Sequence, residues 1–349
     1  MALLFVDNFE LFSLGLMGDA ENTQLLNDFS LNDVGTTKIT VMEGTLSQKA
    51  IRMGPFGINN QPWNLRYIPA LQGKIVVGFA FSSSNNPDNT PSGIAPGTNL
   101  DSSILRFSSN NSSSLRINPD WSLTLGTLTT SPGIIVDSVY AFIEVVLDID
   151  TRNFELWVNN VLAGTGSVTF TGTVYVLLGS TNKNLGVNYQ FFDDIYILDD
   201  AGTTHNQRLG PVRAVRVPFN ATTEANFTPF GAADNITAIN KDSPNTSTFN
   251  RSPAANNVGD YFKLDTSIMP SDRPIIAVQQ SAMYRKTDIG ERALKLVAKE
   301  GVDRKEHPLP DRLVTFSGGP AQILETAADG SAWDLTNLAA TDFGYEVTE

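Results

Sequence analysis

The chain has 349 residues, of which 41% are hydrophobic and 17% charged, with no cysteine and a formal net charge of −13. Its length exceeds one typical domain and allows packed cores, while the missing cysteines exclude disulfides, thiol nucleophiles and thiolate metal sites together. The acid excess opposes a nonspecific grip on nucleic acid or anionic membrane, both of them polyanions, so neither is expected as a partner.

Residues 3–6, 38–42, 50–53, 74–81, 104–107, 115–117 and 123–125 read as strands, separated by Asn-, Ser-, Gly- and Pro-rich loops at the short spacing of a β-sandwich. The apolar start at 1–6 lacks a basic region and is cut by Asp7, unlike a secretion signal. No run approaches the roughly 18 apolar residues of a spanning helix, so no membrane insertion is expected. Residues 82–92 (SSSNNPDNTPS) and 108–114 (SSNNSSS) are of low complexity and read as exposed loops.

The clearest signal lies at 141–166, AFIEVVLDIDTRNFELWVNNVLAGTG. Polar turns at 150–153 and 159–160 separate three apolar runs; Phe154, Leu156 and Val158 fall on one face, Glu155, Trp157 and Asn159 on the other. Period-two alternation bounded by Asp and Asn predicts antiparallel strands with one buried face. Residues 175–178 and 189–198 complete this sandwich, and the turn formers at 199–210 predict a boundary between domains at 1–200 and 201–349.

Beyond it, 212–218 begins a second β-rich unit, and the polar stretch 235–257, with Pro244 and Pro253, is expected to be an arm or interface loop. Residues 275–284 read as a strand and 286–291 as a hairpin turn. At 292–299 the alternation of Leu294, Leu296 and Ala298 competes with a helix face through Ala293, Leu294 and Val297. The strand is favoured because the preceding turn invites pairing. Ser331, with Asp334 three residues later, predicts a capped short helix over 333–338, and 343–347 a closing strand.

The pattern FIEVVLDID, turn, FELWVNNVLAGTG resembles the closing hairpins of concanavalin A-like and laminin G-like jelly rolls. With LLFVDNFE at 3–10 and FFDDIYILDDAGTTHNQRLGPVRAVRV at 191–217, the chain also resembles a group of tailed-bacteriophage virion proteins. Phe5, Asp7 and Phe9 match the N-terminal pattern of that group. Asp193, Asp194, Tyr196, Leu198, Asp199, Leu209, Gly210, Val212, Arg213 and Val215 fit its pattern after the jelly roll. The fold class is therefore expected to be all-β: a concanavalin A-like jelly-roll sandwich followed by a smaller β-rich domain with a short C-terminal helix. The resemblance implies a virion structural role and carries no catalytic motif.

Candidate chemistry is sparse. His205 and His307 are far apart in sequence, no Gly-x-Ser-x-Gly elbow occurs, and neither histidine has a zinc-ligand partner at the usual spacing, so both read as surface or loop residues. Glycosidases of this jelly-roll type place acids along one strand as E-x-D-x-x-E. Here Glu144 and Asp148 are separated by Val145, Val146 and Leu147 without a third acid, and they read as solvent-facing charges. Asp148, Asp150 and Asn153 could offer oxygens to calcium but lack the glycine and terminal glutamate of an EF-hand loop; turn-forming side chains explain the same letters. The pairs Asp193–Asp194 and Asp199–Asp200 are read as orienting a strand edge and opening the linker.

Asn220, Asn226, Asn235 and Asn245 each begin N-x-S/T by chance and receive no role. Trp63, Trp121, Trp157 and Trp333 could form a sugar-stacking platform but fit core or interface positions better. The basic run from Arg285 to Arg312 is either a solvated hairpin face or a docking surface for an acidic neighbour. No catalytic, cofactor-binding or metal-ligating residue is assigned, and no cofactor is expected.

The expectation is a non-enzymatic structural protein of a tailed-phage virion, made in the bacterial cytoplasm and packed on the particle as capsid decoration or as a tail or baseplate component. Its partners would be other virion proteins and further copies of itself. The alternative is a carbohydrate-binding adhesin that recognises host surface glycan through loops 82–92 and 108–114, and a polysaccharide-cleaving enzyme is a third reading.

Overall fold

Strand Ala141–Asp148 (AFIEVVLD) is apolar on both faces, so it must be covered on both sides, and the first unit is organised around it. The computed structural model describes residues 2–7, 15–16, 29–31, 40–43, 49–53, 63–67, 71–85, 102–108, 111–170, 172–180, 188–202, 204–205, 207–240, 247–253, 255–286, 292–310, 317–318 and 322–348. They fall into two compact units, the first running through Ala214 and the second starting at Val215. Every sheet is antiparallel, as expected of an all-β chain.

Among the described residues the first unit holds a nine-stranded sheet. Its order is Val161–Ser167, Asn153–Val158, Ala141–Asp148, Lys74–Asn85, Asn188–Asp199, Lys49–Met53, Thr40–Glu43 and Gly15–Leu16, with Ala2–Asp7 also paired to Asn188–Asp199. A seven-stranded sheet runs Leu128–Thr129, Leu123–Leu125, Ser114–Ile117, Ser102–Arg106, Leu177–Ser180, Trp63–Tyr67 and Phe29–Leu31. Gln190 Nε2 donates to Ser103 O between the two sheets, which identifies the facing side of the larger one. Phe192 shares that side with its neighbours Phe81 and Phe79, and the three rings pack with centroids 5.3 to 6.4 Å apart. Ile104, Leu105, Phe107, Leu115 and Ile117 are fully buried in the smaller sheet. At one edge the sheets are tied by Thr127 N donating to Ser167 O and Ser167 N donating to Thr127 Oγ1.

The hairpin chemistry read from sequence is present. Val158 pairs with Val161 across a two-residue turn in which Asn159 and Asn160 have φ of 48° and 68°, the left-handed geometry that asparagine tolerates and hairpins favour. The two serine-rich loops are a correction. Strand Lys74–Asn85 continues through Ser82 and Ser83, which are buried, and residues 86–92 lie outside the described residues. Ser108, Ser113 and Ser114 are buried as well, with a 2.7 Å hydrogen bond between the Ser108 and Ser113 hydroxyls. A hydroxyl paired in this way can be buried at little cost, so low complexity did not mean exposure.

The second unit has a five-stranded sheet in the order Phe219–Glu224, Val258–Leu264, Asp342–Thr348, Ala293–Glu300 and Asp303–Pro308. The strand reading of 292–299 holds, but its hairpin partner is Asp303–Pro308, reached through Gly301 at φ 59°. Val278–Gln280 pairs instead with Gln322–Leu324, and Met283–Tyr284 with Ser317–Gly318; of the turn expected at 286–291, residues 287–291 lie outside the described residues. The C-terminal helix is Leu335–Ala340, two residues later than expected, because Asp334 rather than Ser331 is its N-cap and forms a capping box with Asn337. Trp333 is thereby left in the core, stacked on Phe343 with its Nε1 donating to Leu324 O. Among the described residues no helix is long and apolar enough to cross a membrane.

The polar stretch at 235–257 is not a free arm in its described part. Asn235–Ile239 forms a helix capped by Asp234, and Phe249–Arg251 pairs with Thr228–Phe230; residues 241–246 and 254 lie outside the described residues. Buried Asp260 explains this. Its carboxylate accepts from Asn226 N at 2.7 Å, Phe227 N at 2.8 Å, Asn235 Nδ2 at 2.6 Å and Tyr345 Oη at 2.9 Å.

Of the described basic residues in the run from Arg285 to Arg312, Lys295, Lys299 and Arg304 form ion pairs within the second unit. Glu346 accepts from Tyr261 Oη at 2.6 Å and Arg304 Nη2 at 2.8 Å, and Lys295 lies 3.1 Å away. Lys299 pairs with Glu224 and sits 3.4 Å from the centre of the Tyr261 ring. Burial by itself would raise the pKa of Glu346, but the Tyr261, Arg304 and Lys295 hydrogen bonds outweigh it and bring it to about 2. A carboxylate held low contributes stability above its ordinary pKa of 4.5 and loses it as pH falls toward 2. The second unit is therefore expected to lose stability over that window, and Glu346→Gln to flatten the dependence, in denaturant titrations stepped through pH. An unchanged slope in the variant would show that Glu346 is not the group responsible.

Candidate functional site

The first unit concentrates its polar chemistry on the face of the nine-stranded sheet turned away from the smaller sheet. Register brings Glu144 and Tyr196 to either side of Gly78, and Trp157 beside Glu144. Gly78 is required there, since a Cβ would come within 2.1 Å of the Tyr196 ring. The ring instead lies flat, stacked on Phe142 at 6.3 Å. A bulge between Asp193 and Tyr196 sets this alignment, with Asp194 at φ 47° and its N–H donating to Asp193 Oδ1 at 2.8 Å.

Across this face runs the segment 208–214. Arg208 Nη1 lies 2.7 Å from Glu144 Oε2, its Nη2 donates to Asn160 Oδ1 at 2.7 Å, and its guanidinium stacks 3.7 Å from the centre of the Trp157 ring. Gly210 N donates to Glu144 Oε1 at 2.8 Å, and Leu209 N to Tyr196 Oη at 3.1 Å. Ala214 N donates to Asp194 Oδ1 at 2.9 Å. Tyr196 Oη itself donates to Glu144 Oε1. Burial first, then the Glu144 charge, pushes the Tyr196 phenol far above its ordinary range, so it stays a proton donor to the carboxylate.

Glu144 is therefore not a solvent-facing strand charge. It is fully buried, and both oxygens are engaged by a phenol, a guanidinium and a backbone N–H. The sequence does contain a signal for this. Phe142 and Val146 flank Glu144 on its own face, while Ile143, Val145 and Leu147 fill the other, a pattern of double-sided burial. Asp193 and Asp194, read as orienting a strand edge, are buried on a strand that is paired on both sides.

The other candidates separate. Asp148 Oδ1 accepts from Asp150 N at 3.0 Å and Thr151 N at 2.9 Å, and the Thr151 backbone bond is the main reason its pKa is lowered. Its carboxylate thus closes a turn. Among the described residues no three His, Asp or Glu side chains gather to hold a metal ion. Trp157 has one ring face taken by Arg208, Trp121 is half-buried in a turn at φ 62°, Trp333 is buried in the second unit, and the side chain of Trp63 lies outside the described residues. His307 lies on strand Asp303–Pro308, where burial lowers its pKa. Asn226 and Asn235, read as chance sequons, are structural: the Asn226 side chain donates to Gly259 O and that of Asn235 to Asp260 and Phe227 O.

No protein-family model matches the chain, and no curated protein matches it. Among solved structures, it is similar to the catalytic domain of the glycoside hydrolase family 131 protein from Coprinopsis cinerea, at 14% identity over 58% of this chain and 97% of that one, with a TM-score of 0.41. It is also similar to the binding domain of Paraclostridial Mosquitocidal Protein 1, at 8% identity over 99% and 97% of the two chains, with a TM-score of 0.39. A sialidase aligns at 14% identity over 56% of this chain and 18% of its own length, with a TM-score of 0.37. These likenesses are distant. The concanavalin A-like jelly-roll description stands on the strand order and two-sheet core above, and an enzyme domain and a binding domain both stand among the similar structures.

Arg208→Ala leaves the Glu144 charge buried without its cation, and unpairing a buried charge costs about 3 kcal/mol. Urea denaturation of the first unit should show a loss of that order, and Glu144→Gln should reduce the further cost of Arg208→Ala. A chain ending at Asp200 should likewise unfold at a lower temperature than one ending at Ala214. Equal midpoints for the two would mean that residues 208–214 do not contribute to the sandwich.

Proposed function

We propose that this chain is a non-enzymatic structural protein, and that its jelly roll is a rigid body for assembly in the tailed-phage virion proteins its sequence resembles. One observation carries the non-enzymatic part. Glycosidic chemistry on a jelly roll needs two carboxylates flanking the scissile bond, one able to give up a proton. Glu144 has both oxygens occupied under residues 208–214, and Asp148 holds its own turn. The arrangement secures a segment of chain instead of presenting an acid and a base to a substrate.

The virion part rests on the sequence resemblance, and the buried elements coincide with it. Tyr196, Leu209 and Gly210, which fit the group's pattern, are residues that build the Glu144 clasp. In this reading the protein is present in many copies as capsid decoration or as a tail or baseplate component, in contact with other virion proteins and with itself.

Mass spectrometry of virions purified from a lysate in which the chain is expressed tests the assembly role, and full-length protein incubated with a panel of polysaccharides tests the absence of catalysis. The chain should be recovered with the particles in many copies and should release no new sugar ends. Recovery only from the particle-free fraction would overturn the virion reading. Cleavage of any polysaccharide would overturn the non-enzymatic one, and glycan-array binding by a chain absent from particles would favour the adhesin.

A further inference from the structure

Between the last strand of the first unit, Asn188–Asp199, and the segment 208–214 lies a short connection in which one residue carries uncompensated strain. His205 has φ 27°, the lowest of the eight described non-glycine residues with positive φ. The other seven are each held by a hydrogen bond, as Arg152 N donates to Asp148 O and Asn257 N to Val347 O. His205 has none among the described residues, and its half-buried ring keeps Nε2 enclosed without a partner.

A strained backbone persists only where its surroundings impose it. Here the two ends of the connection do so. Ala201 N donates to Asp199 Oδ1 at 3.0 Å on one side, and three residues after His205 the Arg208 side chain is fixed to Glu144, Asn160 and the Trp157 ring. Closing the connection within a single chain therefore holds His205 in its unfavourable conformation.

Nothing in the clasp requires that segment 208–214 come from the same chain as the sheet it crosses. Its bonds run from Arg208 and Gly210 to Glu144, from Leu209 to Tyr196 and from Ala214 to Asp194. The same segment arriving from a second copy would reproduce each of them, while its own connection extended and released His205. Short hinges under strain invite this kind of exchange. We infer that segment 208–214 exchanges reciprocally between two copies of this chain, each copy's Arg208 closing on the other's Glu144 in a two-fold symmetric dimer. The occupant is set by the fit already in place: a guanidinium between a carboxylate and an indole, followed by backbone N–H groups, is what this segment supplies. The exchange adds a route of self-contact to the assembly reading above without depending on virion membership, so its failure would leave that reading standing.

Light scattering of the full chain after refolding from urea, at low and at high protein concentration, tests the exchange. Refolding at high concentration should yield a species of twice the single-chain mass. Once separated by gel filtration, that species should keep its mass on dilution and revert only on warming toward the unfolding midpoint, because reversal requires the clasp to open. His205→Gly, which relieves the strain of the closed form, should lower the ratio of dimer to single chain about fivefold or more. Deletion of Thr204 and His205 should make the hinge too short to close and leave a dimer at both concentrations. If the deletion variant does not fold, the His205→Gly comparison decides. Single-chain mass for the wild type after refolding at high concentration, a dimer that dissociates at once on dilution, or folded hinge variants with the wild-type ratio would overturn the inference.

Discussion

A carboxylate with no solvent exposure can remain charged on a sheet only if donors replace its water, and in the first unit that requirement organises everything around Glu144. Its three donors come from two separate stretches: Tyr196 on the neighbouring side of Lys74–Asn85, and Arg208 and the Gly210 backbone from the segment beyond the last strand. Gly78 keeps its side-chain space empty so that the tyrosine can lie flat, and Trp157 supports the arginine from the other side. Each of these features has little purpose without the others. The first unit consequently extends through Ala214 rather than ending with its last strand.

The second unit repeats the device with different neighbours. Tyr345 donates to buried Asp260 and Tyr261 to Glu346, as Tyr196 does to Glu144. A phenol is well suited to this role, because burial beside an anion raises its pKa and keeps its proton in place. In a chain without cysteine, these carboxylate and tyrosine pairs join distant strands, with separations of 52 residues for Glu144 and Tyr196 and 85 for each of the other two. They confer directional specificity on cores otherwise held by non-directional burial.

Most of the strands were legible along the chain, and so were the turns at 150–153 and 159–160, whose letters act within a few residues of themselves. The candidate chemistry was much less so. Glu144 read as a surface charge because its own strand cannot say what lies above it, although Phe142 and Val146 on the same face hinted at a cover. The serine-rich stretches looked exposed because composition does not reveal a hydroxyl partner such as that joining Ser108 to Ser113. The helix near the C-terminus was displaced by two residues because Ser331 and Asp334 both cap well, and burial of Trp333 selects the later start.

The sequence by itself determined the all-β class, the hairpins and the position of the short final helix to within a turn, since side-chain alternation and turn geometry are local properties. Tertiary structure decided which charges are buried, which segment covers the large sheet and which strands meet across the second unit. Arg208 meets Glu144 over 64 residues, and Asn250 meets Tyr345 over 95. Partners that far apart leave no periodic trace in the chain, because only folding brings a donor to the acceptor that burial would otherwise leave unanswered.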